Sequence, residues 1–352
     1  KMKVTILGAG AMGSALTIPL SDNGHTVNLW GTEYDAGILR VIRKRDAHPR
    51  IGVKIPDRVH FFDADQLRPA LNGSDIVVIA VSSNAVRAIT RRIAPYLKRN
   101  IILMIVSKGL EECSQGIIIL TDVIRNELIK NLKDEITIVA VGGPSIASEL
   151  AKKLPTAAVY ASTELEAAKI SRDTFVTPYY RIKISSDVIG LELSAALKNV
   201  YAIAIGWCDG LAKELGEKTL DNVKALLFTQ ALREMALIVK IMGGNVETVY
   251  DLAGVGDFEV TSMSKERRNR TFGELLGCGL SPERALSELE KTGRGVVEGY
   301  LTCDKAYKLA KELENRGEIN LSEQLPLLKE MYLVLFNSKR VKDAISDFLR
   351  KI

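Results

Sequence analysis

Short apolar runs alternate with segments of helical periodicity through the first half of the chain. The runs occupy residues 4–7, 24–30, 75–81, 101–106, 136–141, 157–160 and 180–184. Between them, segments such as 85–97 and 116–129 place apolar residues at helical spacing. Buried strands that alternate with helices are typical of a parallel sheet covered by helices on both faces. The pattern therefore predicts an α/β fold with a doubly wound sheet.

The second half of the chain has a different pattern. From Asp187 to Ile352 the periodicity is helical throughout. A chain of 352 residues also exceeds the usual size of one hydrophobic core. We therefore expect a sheet domain of residues 1–185, followed by an all-helical domain of residues 186–352.

One segment of the second half, residues 188–206, is apolar nearly all round. Glu192, Lys198 and Asn199 interrupt it near its middle, which argues against a membrane span. The segment is better interpreted as the buried central helix of the second domain.

Composition and charge narrow the class of partner. The chain is 47% apolar and 26% charged, which is typical of a soluble globular protein. Its net charge of +5 comes without a basic stripe, so an anionic small ligand is favoured over nucleic acid, although a solvated basic surface explains the charge equally well. The cysteines are scattered and lack metal spacing, and we expect no signal peptide before the first strand. We expect reduced thiols, no metal, a cytoplasmic location and a homodimer without an integral membrane segment.

The most informative local pattern is Gly8-x-Gly10-x-x-Gly13, between the first apolar run and a helical segment. Glycine at these positions permits a tight turn, close approach of a pyrophosphate, and close packing of helix on strand. A lone pattern of this kind is also found in ordinary turns. Its position between a strand and a helix predicts a Rossmann dinucleotide-binding domain, with the helix N-terminus facing the anion.

Polar residues follow the predicted strands where the strands end. They include Ser82-Ser83-Asn84, Ser107-Lys108-Gly109 and Gly142-Gly143-Pro144-Ser145. In open parallel sheets, ligands bind at the carboxyl ends of the strands. We therefore expect the ligand at this edge.

Lys198 is the strongest candidate for acid–base chemistry. An ammonium on a buried helix requires an acidic partner or a lowered pKa. It is either a structural ion pair, with Glu192 or Asp257, or a proton donor and acceptor. The three histidines, His25, His48 and His60, do not follow strand ends and are expected to be structural or exposed.

A basic cluster follows Gly254-Val-Gly256-Asp257 and Thr261. Its residues, Arg267-Arg268-Asn269-Arg270, could bind a phosphate through bidentate hydrogen bonds. Taken alone, the cluster is better explained as a solvated basic helix end.

The end of the second strand bears on coenzyme choice. An NAD site typically has a carboxylate there, but this strand ends in Trp30-Gly31-Thr32. Thr32 could donate to a 2′-phosphate, and Arg50, Arg40 or Arg43 could supply charge, so we expect NADP to be preferred over NAD. The alternative is that Glu33 serves as the missing acid.

Together these motifs resemble the NAD(P)-dependent glycerol-3-phosphate dehydrogenases, which reduce dihydroxyacetone phosphate. The resemblance covers nearly the whole chain, and the later motifs are far more specific than the glycine turn. The motifs are Gly8–Gly13, Leu29-Trp30, Ser107–Gly109, Gly143-Pro144-Ser145-x-Ala147-x-Glu149, Leu154–Ala157, Asp187-Val-Ile-Gly190-x-Glu192, Lys198-Asn199, Asn222-x-Lys224-Ala225, Gly254-x-Gly256-Asp257, Arg268-Asn269 and Val297-Glu298-Gly299.

The resemblance implies a role for each matching residue. Lys198 is implied as the proton acceptor, and Lys108 as a catalytic residue that contacts substrate and coenzyme. The implied substrate-binding positions are Lys108, Gly143, Ser145, Lys198, Asn199, Asp257, Arg268 and Asn269. The implied coenzyme positions are Gly8, Gly10, Ala11, Met12, Gly13, Lys108, Ala147, Arg268, Val296 and Glu298, to which the strand-end argument adds Thr32 and Arg50.

The chain departs from the family pattern in three places. Ala11-Met12 replace a polar-aromatic pair, Ser82 stands where a proline is common, and Arg267 replaces a serine. These departures affect the expected coenzyme contacts more than the reaction. The implied reaction is reversible hydride transfer between NAD(P)H and dihydroxyacetone phosphate, which gives sn-glycerol 3-phosphate for glycerophospholipid synthesis. The alternatives are a related two-domain hydroxy-acid dehydrogenase and a non-catalytic dinucleotide-sensing protein.

Overall fold

The computed structural model describes residues 1–128, 130, 132–265, 267–293 and 295–352. These residues form two compact units. The sheet unit contains Lys1–Lys108 and Leu120–Leu191, and the helical unit contains Gly109–Ile119 and Glu192–Ile352. This division differs from the boundary expected near residue 185 in two ways: residues 186–191 belong to the sheet unit, and residues 109–119 belong to the helical unit.

The strands are short and almost all lie in the first half of the described chain, as the apolar runs predict. They are β1 (Lys3–Leu7), β2 (Thr26–Trp30), β3 (His60–Phe62), β4 (Ile76–Ile79), β5 (Ile102–Ile105), β6 (Leu110–Cys113), β7 (Gly116–Ile119), β8 (Thr137–Gly142), β9 (Thr156–Ala161) and β10 (Tyr180–Ser185).

The helices alternate with the strands at first and then continue without strands to the end of the chain. They are α1 (Ala11–Asp22), α2 (Ala36–Arg43), α3 (Leu67–Leu71), α4 (Val86–Ile93), α5 (Leu120–Glu127), α6 (Ala147–Ala151), α7 (Leu165–Phe175), α8 (Val188–Glu214), α9 (Asp221–Ile241), α10 (Val246–Val249), α11 (Asp257–Met263), α12 (Arg268–Gly277), α13 (Pro282–Glu290), α14 (Glu298–Asn315), α15 (Leu321–Gln324), α16 (Pro326–Phe336) and α17 (Val341–Leu349).

The sheet unit is built on eight strands in the order β10-β9-β8-β5-β4-β1-β2-β3. Neighbouring strands are parallel except for the antiparallel pair of β8 and β9. The chain order reverses on either side of β1, which lies between β4 and β2. Such a switch point is where open α/β sheets bind ligands. The expected α/β doubly wound fold is confirmed, although the sheet is not entirely parallel.

The segment of residues 116–129, expected to be helical, is only partly so. Residues Gly116–Ile119 are strand β7, which pairs antiparallel with β6, and the helix begins at Leu120. Ile117 and Ile119 are buried while Ile118 is partly exposed, which is the two-residue alternation of a strand with one covered face. The run of isoleucines obscured this alternation in the sequence. Ile129 lies outside the described residues.

The helical unit is organised around α8, as expected for the apolar segment 188–206. Among the described residues α8 alone is long and apolar enough to span a membrane, and 89% of its apolar window is buried within the structure. It is therefore a core helix. Asp187 caps its start, because its Oδ1 accepts a hydrogen bond of 2.9 Å from the backbone N of Gly190.

Paired glycines bring α8 and α12 into backbone contact. A Cβ atom on Gly206 or Gly210 of α8 would overlap the carbonyl oxygen of Arg270 or Glu274, respectively. Glycines at four-residue spacing on both helices permit this approach. The contact places α12 along the C-terminal part of α8.

Candidate active site

The glycine turn of the sheet unit has the geometry of an anion-binding turn. Gly8 has φ of +118°, and a Cβ atom there would overlap the carbonyl oxygen of Ala80. A Cβ atom on Gly13 would overlap the carbonyl oxygen of Gly8. Gly10 is the N-cap of α1, whose first turn begins with Ala11 and Met12 and contains no acidic residue. Its amide groups and dipole therefore favour an anion at this end of the helix.

Arg50 lies beside this turn. A Cβ atom placed on Gly10 would lie 3.7 Å from the guanidinium Nη1 of Arg50, the one atom within 4 Å among the described residues other than Gly10 and its chain neighbours. The position thus leaves room for a ligand next to a cation. These residues fit a dinucleotide phosphate on the grounds of shape and charge.

Asp35, which the sequence analysis missed, holds the end of β2 to the glycine turn. Its Oδ2 accepts hydrogen bonds from Ala9 N at 3.1 Å, Thr32 N at 2.9 Å and Thr32 Oγ1 at 3.1 Å. Thr32 and Asp35 form a capping box, a sequence signal that could have identified this residue. Thr32 is therefore beside the turn, but its hydroxyl already donates to a carboxylate.

Glu33, the alternative acid, is paired elsewhere. Its Oε1 accepts a hydrogen bond of 2.9 Å from Arg92, whose guanidinium carbon lies 5.2 Å from the centre of the Trp30 ring. The carboxylate that contacts the glycine turn is accordingly Asp35.

His48 contacts the same turn. It is fully buried, its Nε2 lies 2.9 Å from the carbonyl oxygen of Ala9, and its Nδ1 accepts a hydrogen bond of 3.1 Å from Arg50 N. Since the amide of Arg50 can only donate, the proton of the neutral ring is on Nε2. Burial, opposed by the hydrogen bond to Ala9, lowers the pKa of His48 from its ordinary value of 6.5.

The other candidates of the sheet unit lie at strand ends and helix starts. Lys108 is the last residue of the first segment of this unit, and Ala147 begins α6, which packs against α1. Gly143 follows β8 with φ of +109°. Ser145 is buried, and its hydroxyl donates to the carbonyl oxygen of Ala157 at 3.2 Å.

Lys198 forms a buried ion pair in the helical unit. Its Nζ lies 3.0 Å from Asp257 Oδ1 and 2.7 Å from Thr261 Oγ1. Lys198 is 2% exposed and Asp257 is fully buried. Asp257 is one of the two ion-pair partners that the sequence predicts for Lys198. The sequence motifs assign no role to Thr261.

An irregular turn aims Asp257 at the lysine. Residues Leu252–Gly256 form a π-helical turn that runs directly into α11, of which Asp257 is the first residue. A Cβ atom on Gly254 would overlap the carbonyl oxygen of Val249, so the turn requires glycine there. Turns of this kind are frequent at functional sites.

Asn199 and Asn269 connect three helices next to the ion pair. Asn269 Nδ2 donates to Asn199 Oδ1 at 3.1 Å, and Asn269 Oδ1 accepts from Gly299 N at 2.9 Å. A Cβ atom on Gly299 would overlap the carbonyl oxygen of Asn199. This network joins α8, α12 and α14 around Asn199, the residue that follows Lys198.

The basic cluster at the start of α12 is not simply a solvated helix end. Arg270 is 6% exposed and pairs with Asp209 at 2.7 Å and with Glu274 at 2.7 Å. Arg268 and Asn269 form the first turn of α12. The remaining coenzyme candidates are Val296 and Glu298, of which Glu298 is the first residue of α14.

Comparison with known proteins identifies the family. The model described as the N-terminus of NAD-dependent glycerol-3-phosphate dehydrogenase matches residues 3–168, and that of the C-terminus matches residues 187–346. The chain belongs to the NAD-dependent glycerol-3-phosphate dehydrogenase family. The family membership expected from the motifs is confirmed.

Individual members of this family resemble the chain over its full length. An NADP(+)-dependent glycerol-3-phosphate dehydrogenase of Archaeoglobus fulgidus is 40% identical over 348 residues, which cover 98% of each chain. A glycerol-3-phosphate dehydrogenase [NAD(P)+] of Agathobacter rectalis is 33% identical, covering 99% of this chain and 95% of that one. The crystal structure of a glycerol-3-phosphate dehydrogenase from Coxiella burnetii has a TM-score of 0.84 at 29% identity and covers 99% of both chains.

The buried histidine leads to a prediction on pH. The folded protein holds His48 neutral, whereas the unfolded chain binds a proton near pH 6.5. Its contribution to the free energy of unfolding is therefore present above this pH and is lost as the pH falls through it, with a slope of at most about 1.4 kcal/mol per pH unit. Protonation of Nδ1 in the folded protein removes the acceptor for Arg50 N, so affinity for NADPH should fall at lower pH, as the pH passes through the lowered pKa of His48.

Denaturant unfolding and NADPH titration between about pH 5 and pH 8 test this, with wild type compared with His48→Gln. The matched control is His25→Gln, because burial also lowers the pKa of His25, which lies outside the glycine turn. This control should keep the pH dependence of NADPH binding. Parallel binding profiles for wild type and His48→Gln would contradict the assignment.

Proposed function

We propose that the chain catalyses the reversible NAD(P)H-dependent reduction of dihydroxyacetone phosphate to sn-glycerol 3-phosphate, and that the product serves glycerophospholipid synthesis. The observation that carries the proposal is the buried ion pair of Lys198 and Asp257, in a chain whose two halves both match this family. Steady NAD(P)H consumption with dihydroxyacetone phosphate tests the reaction. No turnover with this substrate would overturn it.

Lys198 is proposed as the acid and base of the reaction. Asp257 and Thr261 hold its ammonium by hydrogen bonds of 3.0 Å and 2.7 Å, which fix its direction. In reduction the ammonium gives a proton to the ketone oxygen at C2, and in the reverse direction the amine takes it from the hydroxyl. The nicotinamide coenzyme, when bound, supplies or accepts the hydride. General acid–base catalysis of this kind contributes about 10²-fold to 10⁴-fold to the rate.

Arg268 and Asn269 are proposed to bind the substrate phosphate at the start of α12. The helix has ten residues, so its N-terminal amides and dipole add to the guanidinium charge. Asn269 retains one Nδ2 hydrogen beyond its bond to Asn199. Gly143 and Ser145 remain proposed substrate positions by resemblance alone.

Lys108 is proposed to stabilise the charge that develops on the substrate oxygen. A fixed cation at this point lowers the barrier because the charge is greater in the transition state than in the ground state. The coenzyme itself is proposed to be held by the glycine turn with Arg50 and Thr32, together with the resemblance-derived positions Ala11, Met12, Lys108, Ala147, Arg268, Val296 and Glu298.

NADP is proposed as the preferred coenzyme. Arg50 beside Gly10 supports it, because a guanidinium favours a 2′-phosphate. Asp35 acts in the opposite sense, since its carboxylate at the same turn would repel that phosphate and accept ribose hydroxyls. The two charges together support use of both coenzymes, with Arg50 giving the preference.

A homodimer in the cytoplasm is also proposed. The free thiols of Cys113, Cys208, Cys278 and Cys303 are consistent with a reducing compartment. Sedimentation equilibrium at the mass of a single chain would contradict the dimer.

Loss of the acid–base group should abolish most turnover. Lys198→Ala is expected to lower kcat at least about 10²-fold while the affinity for NAD(P)H stays nearly unchanged. Steady-state kinetics and coenzyme fluorescence titration measure the two quantities. Lys224→Ala is the matched control, a lysine of the same unit paired with Asp209, and it should retain turnover. Near-native kcat in Lys198→Ala would exclude the role.

Loss of the arginine that is proposed to bind the phosphate should impair the reaction of the phosphorylated substrate selectively. Arg268→Ala should cost about 2–4 kcal/mol in kcat/KM for dihydroxyacetone phosphate, because a charge pair in a site is lost, and little for unphosphorylated dihydroxyacetone. Arg267→Ala controls for the loss of one positive charge at the same helix end. Equal losses on both substrates would show that Arg268 does not bind the phosphate.

Coenzyme choice should depend on Arg50. Arg50→Ala is expected to lower kcat/KM for NADPH by about 10-fold to 100-fold, as for one charge-assisted hydrogen bond, and to leave that for NADH nearly unchanged. Asp35→Asn, which keeps an acceptor oxygen but removes the charge, should increase the preference for NADPH. A wild type that prefers NADH and is insensitive to Arg50→Ala would show that a carboxylate governs the pocket.

A further inference from the structure

Arg270, the last arginine of the basic cluster, is committed to carboxylates of its own unit. It is only 6% exposed. Its Nη1 donates to Asp209 Oδ2 at 2.7 Å, and its Nη2 lies 2.7 Å from Glu274 Oε2. Because a buried guanidinium is costly unless it is paired, exchanging these bonds for a ligand would be unfavourable. The pairing therefore separates Arg270 from Arg268 in function, although the sequence places both in one cluster.

Each of the two carboxylates also has a lysine partner. Asp209 Oδ1 accepts a hydrogen bond of 2.5 Å from Lys224, and Glu274 Oε1 accepts one from Lys213. Side chains of α8, α9 and α12 thus alternate in charge along a row, which we call the charge ladder. Its members, in order, are Lys224, Asp209, Arg270, Glu274 and Lys213. The arginine at its centre is the most buried of them.

The backbone of Arg270 is held on α8 as well. A Cβ atom on Gly206 would overlap the carbonyl oxygen of Arg270, so the two helices touch at this residue. Asp209, which binds the Arg270 side chain, lies later on α8 than Gly206. Asn199, which binds the neighbouring Asn269, lies earlier on α8. Sliding of α12 along α8 in either direction would therefore break one of these two hydrogen bonds.

We propose that Arg270 is a positioning residue for recognition of the substrate phosphate. Through its bond to Asp209 it fixes the first turn of α12, and so sets the place of Arg268 and Asn269. The inference rests on the proposed function, which gives those two residues the phosphate as their ligand. It goes beyond that function because Arg270 acts through its neighbours and does not touch the substrate.

Arg270→Met tests the proposal in the full chain. It removes the guanidinium, keeps a long apolar side chain, and leaves each carboxylate with its lysine. We expect KM for dihydroxyacetone phosphate to rise about 10-fold with kcat within about threefold, and both constants for unphosphorylated dihydroxyacetone to stay within about twofold. In the Arg268→Ala background the same substitution should raise KM less than about threefold, because the main phosphate ligand that Arg270 positions is already gone.

Lys213→Met is the matched control, since the same side chain replaces a cation at the end of the charge ladder. The Lys213 side chain is 63% exposed, so KM for dihydroxyacetone phosphate should stay within about twofold of wild type. Arg270→Lys serves if Arg270→Met does not fold. It keeps the charge but loses the planar fork that reaches two carboxylates, so it should raise KM for the phosphorylated substrate alone, by about threefold.

Three results would overturn the proposal: equal losses on both substrates, an unchanged KM for dihydroxyacetone phosphate, or a rise in KM that is undiminished without Arg268. The first would leave Arg270 a purely structural residue. Failure of wild type to reduce dihydroxyacetone phosphate would instead refute the proposed function and the inference with it. An Arg268→Ala variant that loses activity equally on both substrates would refute the phosphate site, and likewise the inference.

Discussion

The helical unit depends on the contact between the backbones of α8 and α12. Glycines at four-residue spacing on both helices, Gly206 and Gly210 against Gly273 and Gly277, leave no room for a side chain between them. Van der Waals packing at this distance holds the helices in one register, because any added Cβ atom would force them apart. The register brings Asn269, near the start of α12, to Asn199 on α8, and Gly299 of α14 closes the same network.

The ammonium of Lys198 is buried within this helix packing. Desolvation of Lys198 is costly, and removing one partner of a buried pair typically costs about 3–5 kcal/mol. The π-helical turn before α11 meets this cost by aiming Asp257, with Thr261 one helical turn later, at the ammonium. Such a pair is poor evidence for stability, since apolar residues would often do as well. Its presence in the core accords with the acid–base role proposed for Lys198.

The sheet unit uses glycine in a comparable way, but the support for its turn comes from polar side chains. Gly13 brings α1 against the end of β1, and Gly8 brings the turn against Ala80, the residue after β4. Asp35 then holds the amide of Ala9 and His48 contacts its carbonyl oxygen. The N–H and the C=O of Ala9 therefore both have hydrogen-bond partners that are distant in sequence. Arg50 and Asp35, which carry opposite charges, therefore both lie at the turn where we propose that the coenzyme binds.

The sequence by itself determined the fold class, and it identified the glycine turn and Lys198 as candidate site residues. Period and length of the apolar runs predicted the sheet and the helical second half, because burial on both faces leaves a local signature. The glycine turn, Lys198 and the family motifs are likewise local patterns. The capping box of Thr32 and Asp35 is also a local pattern and identifies Asp35 from the sequence.

Only the tertiary structure decided which distant residues meet. The choice of Asp257 as the partner of Lys198, the pairing of Glu33 with Arg92, and the pairing of Arg270 with Asp209 all join residues far apart in the chain. The membership of the β6–β7 hairpin in the helical unit is of the same kind. Periodicity reports whether a residue is buried, but the neighbour that buries it is set by how the elements pack, which no local pattern encodes.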